Sequence, residues 1–245
     1  MNVLITGGAG NVGFELSKKL VSSGNRVVVY DLKNDDLPTA VQFIEGDVRD
    51  FKRLALAAEG CDGGIHLAAL DGTSGAENIV SVNVLGVIGF LTAAGKARFR
   101  ISVVASAAPV HLAPSELDDG FLLRTAGGDD HIYDLTKVLQ EVIARDFHSH
   151  GLATLCLRFG HIVRGEEEMN LLRSMSLKDE HYCRGGWVAL EDVVDACAAA
   201  LETARATTTF EVLNIVGAQS ARDKFHVAAA ENRLGIKLRY DFAGY

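Results

Sequence analysis

The stretch HIYDLTKV, residues 131–138, sets Tyr133 and Lys137 four positions apart. A tyrosine with an ordinary pKa of about 10 is a poor base at neutral pH, whereas a lysine ammonium beside it favours the phenolate. Such a pair could exchange a proton with a hydroxyl or carbonyl. Spacing alone does not establish this, because one turn of any helix brings i and i+4 residues onto one face. The elements that carry the pair must decide. Around it, Ile132, Leu135, Val138, Leu139, Val142 and Ile143 supply a broad apolar surface suited to core or dimer packing.

The first seventy residues supply the rest of a site. NVLIT (2–6) is a β-branched strand run entering GGAGNVG (7–13), and FELSKKLVSSG (14–24) carries helix-spaced Phe14, Leu16, Leu20 and Val21. NRVVVYD (25–31) then ends in Asp31, 21 positions after Gly10. Strand, glycine turn, helix, strand and acid form a dinucleotide-binding fingerprint. Gly7 permits the tight turn, Gly10 lets the backbone approach a pyrophosphate and Gly13 allows close helix–strand contact. Around Asn11 and Val12 the helix start offers amide N–H groups and a positive dipole end. Asp31 suits ribose hydroxyls and repels a 2′-phosphate, which favours NAD over NADP, although Lys33 stands nearby. AVQFIEGDV (40–48) ends in Asp47 and Val48, and GGIHLAA (63–69) ends in Leu67, Ala68 and Ala69. As ends of parallel strands, these two turns are expected at the adenine and nicotinamide sides of the cofactor.

Composition narrows the class. In 245 residues, 48% hydrophobic content is ample for a core, and the formal net charge of −8 lacks the basic excess that nucleic-acid binding requires. The chain starts straight into a strand, with no signal-peptide pattern and no uninterrupted apolar run of about 18 residues. No membrane partner and a cytoplasmic location are therefore expected. Cys61, Cys156, Cys183 and Cys197 are scattered without a C-x-x-C, which suggests neither a metal site nor a disulfide framework.

Taken together, TGGAGNVG (6–13), Asp31, GDV (46–48), HLAA (66–69), VNVLGV (82–87) and YDLTK (133–137) resemble the extended short-chain dehydrogenase/reductases, the NAD-dependent epimerase/dehydratase family. LRFGHIVRG (157–165) is similar to the strand and loop entering that family's substrate pocket. WVALEDVVDACAAALE (187–202) is similar to a helix with its preceding loop, and FEVLNIVG (210–217) to a late strand. The resemblance implies that Tyr133 is the general acid/base while hydride passes to or from the nicotinamide. It implies too that Lys137 holds the nicotinamide ribose and lowers the Tyr133 pKa, and that the chain is a homodimer through helices at 78–97 and 132–149.

The pattern also departs from the family. A Ser or Thr usually precedes the tyrosine by about 25 residues, but aligning ISVVASAAPVH (101–111) on Val110 puts Ala107 there. Ser106 is one residue off and, in a regular strand, faces the other side. It stands as the candidate catalytic hydroxyl, with Thr73, Ser74 and Thr125 as substitutes. The acidic pair of the dehydratases is missing, since 108 and 109 are Ala and Pro, which disfavours dehydration. Only 85 residues follow Gly160, which suggests a small substrate rather than a nucleotide sugar. The closing pattern most resembles the short-tailed uronate dehydrogenase-like subgroup. By position, His161 and Arg173 are candidate substrate contacts, Arg173 for a carboxylate, and Glu166, Glu167 and Glu168 read as a solvated acidic run.

The expected architecture is a doubly wound parallel α/β sheet, a Rossmann domain over residues 1–160. A small substrate-binding portion follows over 161–245, of which 187–217 returns to the Rossmann domain. The expected activity is NAD-dependent oxidation or reduction of a hydroxyl or carbonyl on a small sugar, sugar acid or polyol-like metabolite. The alternatives are a sugar epimerase with tightly bound NAD and a non-catalytic NAD-binding sensor, the latter motivated by Ala107.

Overall fold

The computed structural model describes residues 1–34, 36–108, 129–165, 168, 186–203 and 209–242. Among these the chain runs β1 (Asn2–Thr6), α1 (Asn11–Ser22), β2 (Arg26–Asp31), β3 (Gln42–Glu45), α2 (Phe51–Ala58), β4 (Gly63–His66), α3 (Ala76–Ala97) and β5 (Ile101–Ala107). It continues through α4 (Asp129–Ser149), β6 (Thr154–Phe159), β7 (His161–Val163), β8 (Trp187–Ala189), α5 (Leu190–Glu202), β9 (Glu211–Ile215) and α6 (Val227–Leu234).

Successive side chains of a strand leave opposite faces, and in β1 both faces are covered. Val3 and Ile5 enter one core with Leu16 and Leu20 of α1 and Val193 and Cys197 of α5. Leu4 enters the other with Leu54 of α2, Phe90 and Leu91 of α3 and Ala144 of α4. This double burial is why NVLIT and RVVVY read as continuous apolar runs rather than alternating ones. Seven parallel strands form the sheet in the order β3-β2-β1-β4-β5-β6-β9. The chain winds outward from β1 to β3 and returns to the other side of β1 at β4. A crevice therefore opens at the carboxyl ends of β1 and β4, where a doubly wound sheet takes its ligand.

Two segments expected as loops pair instead. HIV (161–163) and WVA (187–189) form the small parallel sheet β7–β8, and at three residues each they are too short to show a period. The apolar helix α3 is long enough by length and composition to cross a membrane, yet half of that stretch is buried inside the fold, against α2 and α4. Cys61, Cys156 and Cys197 are buried free thiols; Cys183 lies outside the described residues.

The C-terminal segment is tied down through buried carboxylates. Asp192, in the first turn of α5 and fully buried, accepts the backbone N–H of Arg239 at 3.0 Å and of Tyr240 at 3.1 Å. Glu231 of α6 accepts the N–H of Leu238 at 3.0 Å and pairs with Arg222. Trp187, Phe225 and Phe242 pack together over this end of the sheet. Asp192→Ala strands two backbone donors and should cost about 2–4 kcal/mol, read as a lower urea midpoint; an unchanged midpoint would mean that this carboxylate does not anchor the segment.

Candidate active site

The loop leaving β1 builds the floor of the crevice. Gly7 has φ +73°, and a Cβ there would come within 2.5 Å of the Ala68 backbone nitrogen. A Cβ on Gly13 would meet the Gly7 carbonyl and Gly8 at 2.5 Å, so Gly13 serves contact between the helix and its own turn rather than the strand. Gly10 differs: beyond the Gly7 carbonyl, 3.3 Å from a Cβ position, nothing crowds it. Gly10 is the N-cap of α1 and supplies no side-chain cap, which leaves the first-turn N–H groups to serve an anion. Asp31 holds the turn from the side, accepting from Ala9 N–H at 2.9 Å and Leu32 N–H at 2.7 Å.

Facing this turn across the crevice is α4. Lys137 is 5% exposed, and its Nζ lies 5.4 Å from the centroid of the Tyr133 ring. The ammonium donates to Ala105 O at 3.4 Å and Gln140 Oε1 at 3.2 Å. Buried Asn83 of α3 ties the surroundings together. Its amide exchanges hydrogen bonds with the Leu70 backbone at 2.8 and 3.0 Å and donates to Thr136 Oγ1 at 3.0 Å, while its carbonyl accepts from Gln140 Nε2 at 2.9 Å. One turn beyond Lys137, Glu141 accepts a two-pronged ion pair from Arg158 of β6, both bonds 2.7 Å, which fixes α4 over the sheet.

Burial pulls the Lys137 ammonium down to about 8. His66, at the end of β4, is pulled down to about 3, by burial first and by the Lys137 charge second. Its Nδ1 shares a 2.7 Å hydrogen bond with Thr6 Oγ1. His161 is lowered by burial, against an opposing pull from Glu168 and with a smaller lowering by Arg164.

A cleft of about 540 Å³ joins the two sides. Of the sequence-predicted residues, Gly7, Gly10, Asn11, Val12, Gly13, Leu67, Ala69, Ser106, Tyr133, Lys137 and His161 line it. Four do not. Asp31 stands beside the turn, and Ala68 packs beneath Gly7. Asp47 is held by Arg49, which lowers its carboxyl below the usual range, and Val48 is buried under α3, against Gly86 and Gly89. Arg173 and Thr125 lie outside the described residues. Ser106 and Tyr133 carry the hydroxyls of the described lining, and Ala107 lines the cleft as a bare methyl. The Ser106 hydroxyl is buried and reaches the Lys137 carbonyl at 3.5 Å, the long limit of a hydrogen bond. Thr73 instead donates to Asp71 at 2.6 Å. Glu168, read in sequence as solvated, lines the cleft and pairs with Arg164 at 3.2 Å, 3.9 Å from His161. Asn83, Gln140 and Arg164 were not named as site residues; Asn83 lies within the VNVLGV motif, whereas a buried amide such as Gln140 carries no signal beyond its polarity.

The NAD dependent epimerase/dehydratase family profile matches residues 3–216. The chain belongs to this family. Within it, a UDP-glucose 4-epimerase from Lactobacillus helveticus is 25% identical over 98% of this chain and 84% of its own length. Other curated relatives are matched over about a quarter of their own length. Among solved structures, a UDP-glucose-4-epimerase from Stenotrophomonas maltophila with bound NAD and formylated UDP-arabinopyranose superposes with TM-score 0.75 at 22% identity, covering 98% of this chain and 94% of that one. A mutated uronate dehydrogenase superposes with TM-score 0.69 at 20% identity, covering 98% and 82%. These likenesses show the shared Rossmann-like fold.

NAD is the family's cofactor, and the residues present fit it. The cap-less start of α1 and the open side of Gly10 form a cradle for a pyrophosphate, and a carboxylate closes β2.

The histidine of the HLAA motif gives an acid-stability signature. Because folded His66 takes its proton near 3 and an unfolded histidine near 6.5, the unfolded chain binds the extra proton in between. Stability is lost as the pH drops through that window, by roughly 1 kcal/mol per pH unit from this group. Urea unfolding from pH 7 to 5 should show a shallower loss in His66→Gln than in wild type; equal slopes would contradict a neutral His66.

Proposed function

We propose that this chain is an NAD-dependent oxidoreductase acting on a hydroxyl or carbonyl of a small sugar, sugar acid or polyol-like metabolite. The observation that carries the reading is that Tyr133 and Lys137 line the same cleft as the uncapped start of α1. NAD, when bound, supplies the hydride acceptor or donor. The amides of the glycine turn hold its pyrophosphate, and Asp31, freed from Ala9 or sharing its remaining lone pairs, takes the adenosine ribose. Tyr133 Oη removes the substrate hydroxyl proton in oxidation and returns it in reduction. Lys137 favours the phenolate by its charge and turns an N–H toward the nicotinamide ribose. Ser106 swings from its long contact with the Lys137 carbonyl to steady the reacting oxygen. His161 and Glu168 offer polar contacts to the rest of a hydroxylated substrate.

A second reading, an epimerase that returns the hydride to the opposite face of the same carbon, is favoured by the near full-length match to a UDP-glucose 4-epimerase. Both readings require Tyr133. Tyr133→Phe should lower turnover about 10²–10⁴-fold with NAD affinity retained, and Ser106→Ala should cost less. Intact turnover in Tyr133→Phe would sink the role. Because deprotonation of Lys137 near pH 8 removes the charge that favours phenolate, kcat/KM should decline above that pH; a flat profile to pH 10 would contradict the assignment.

We further infer a homodimer through α3 and α4, supported by exposed Val80, Leu85, Leu135 and Val142 on these helices. Light scattering should give twice the chain mass, reduced to one by Val142→Glu with Leu85→Glu; a monomeric wild type would refute it.

A further inference from the structure

Lys137 is a buried cation whose nearest acceptor side chain belongs to none of the motifs. Gln140 is fully buried. Its Nε2 donates to the Asn83 carbonyl at 2.9 Å, and its Oε1 faces Lys137 Nζ at 3.2 Å. These two contacts allow one orientation of the amide. Flipped, it would set oxygen against the Asn83 carbonyl and an NH₂ group against an ammonium, two buried mismatches at once. The α3 backbone thus dictates that an acceptor points at Lys137. An ammonium has three N–H donors. Ala105 O and Gln140 Oε1 take two, which leaves one for the cleft that Lys137 lines.

We propose that Gln140 is a positioning residue that keeps Lys137 charged and aims its remaining N–H into the cleft, so that the Asn83–Gln140 pair sets the pH range over which the site works. The inference rests on the oxidoreductase or epimerase reading above. Among the described residues, the groups facing Lys137 act differently. Tyr133 lies on its own helix, and Asp134 lines the same cleft. His66 of β4 is held neutral. Glu141 is engaged by Arg158 of β6, and α3 presents uncharged Asn83. No carboxylate hydrogen-bonds the ammonium in that set. Burial draws Lys137 down toward physiological pH, and against it stand two neutral acceptors, Ala105 O and the shorter contact to Gln140 Oε1.

The test is a pH titration of Lys137 by NMR of the protein labelled at lysine Cε, with the resonance assigned by Lys137→Arg. Gln140→Met keeps the length and removes the acceptor; the titration midpoint should drop by about one pH unit, a tenfold loss of proton affinity. Gln140→Glu sets a carboxylate against the ammonium and should raise the midpoint by a similar amount. The alkaline limb of kcat/KM should move with the midpoint in each variant. Should Gln140→Met fail to fold, Gln140→Glu still gives the sign. Midpoints within a few tenths of wild type in folded variants would overturn the proposal, because a merely structural glutamine would lower stability without moving Lys137. A midpoint that moves as expected, with no substrate turned over, would uphold the role of Gln140 and count against the proposed reaction instead.

Discussion

A single positive charge taken out of water governs how this molecule is put together around its cleft. An ammonium with 5% exposure is costly unless acceptors meet it, and its two acceptors are held by three elements at once. β5 offers the Ala105 carbonyl, α4 offers Gln140, and α3 orients Gln140 through the Asn83 carbonyl. Lys137 can be where it is only if these elements keep their register. The Glu141–Arg158 pair secures the same register from β6. Placing the lysine there sets its charge beside the Tyr133 ring and adds to the burial that holds His66 neutral behind it. Stability and chemistry thus draw on the same contacts.

The other wall of the cleft is made by omission. Side chains are missing from the glycine turn where the chain must fold back on Ala68 and on itself, and the cap is missing from α1 where an anion would need its amides. Strand order brings the two walls together. Because the chain returns to the far side of β1 at β4, the turn after β1 and the turn after β4 stand side by side, with β5 and α4 next in line.

The segments legible in the sequence are those whose pattern is local. Continuous apolar runs gave β1 and β2 to within a residue, and the glycine turn and Y-x-x-x-K spacing marked both walls of the cleft. Helix starts were less legible: the helix-spaced apolar residues of α1 begin only at Phe14 although the helix starts at Asn11, and α3 starts at Ala76 rather than at 78 as the resemblance implied, because uncapped or glycine-capped starts carry no Ser, Thr or Asp signal. The strands β7 and β8 escaped notice because three residues cannot display a period. Asp47 and Val48, expected at the adenine side of the cofactor from their place after a strand, are seen with Arg49 engaging the first and α3 packed against the second. Gln140 was invisible as a site residue, and Asn83 stood only as part of a motif, because their meaning lies in a contact across 57 positions of chain. Glu168 looked solvated within a run of three glutamates, and only its pairing with Arg164 brings it to the cleft.

The most direct test of hydride chemistry in this cleft is the absorbance of reduced cofactor when the purified chain and NAD are mixed with a panel of uronic acids, aldoses and polyols. The account predicts NADH, released for a dehydrogenase or protein-bound and transient for an epimerase, and its disappearance in Tyr133→Phe. NAD bound with no NADH in either form across the panel would contradict it and leave a cofactor-binding protein without the reaction.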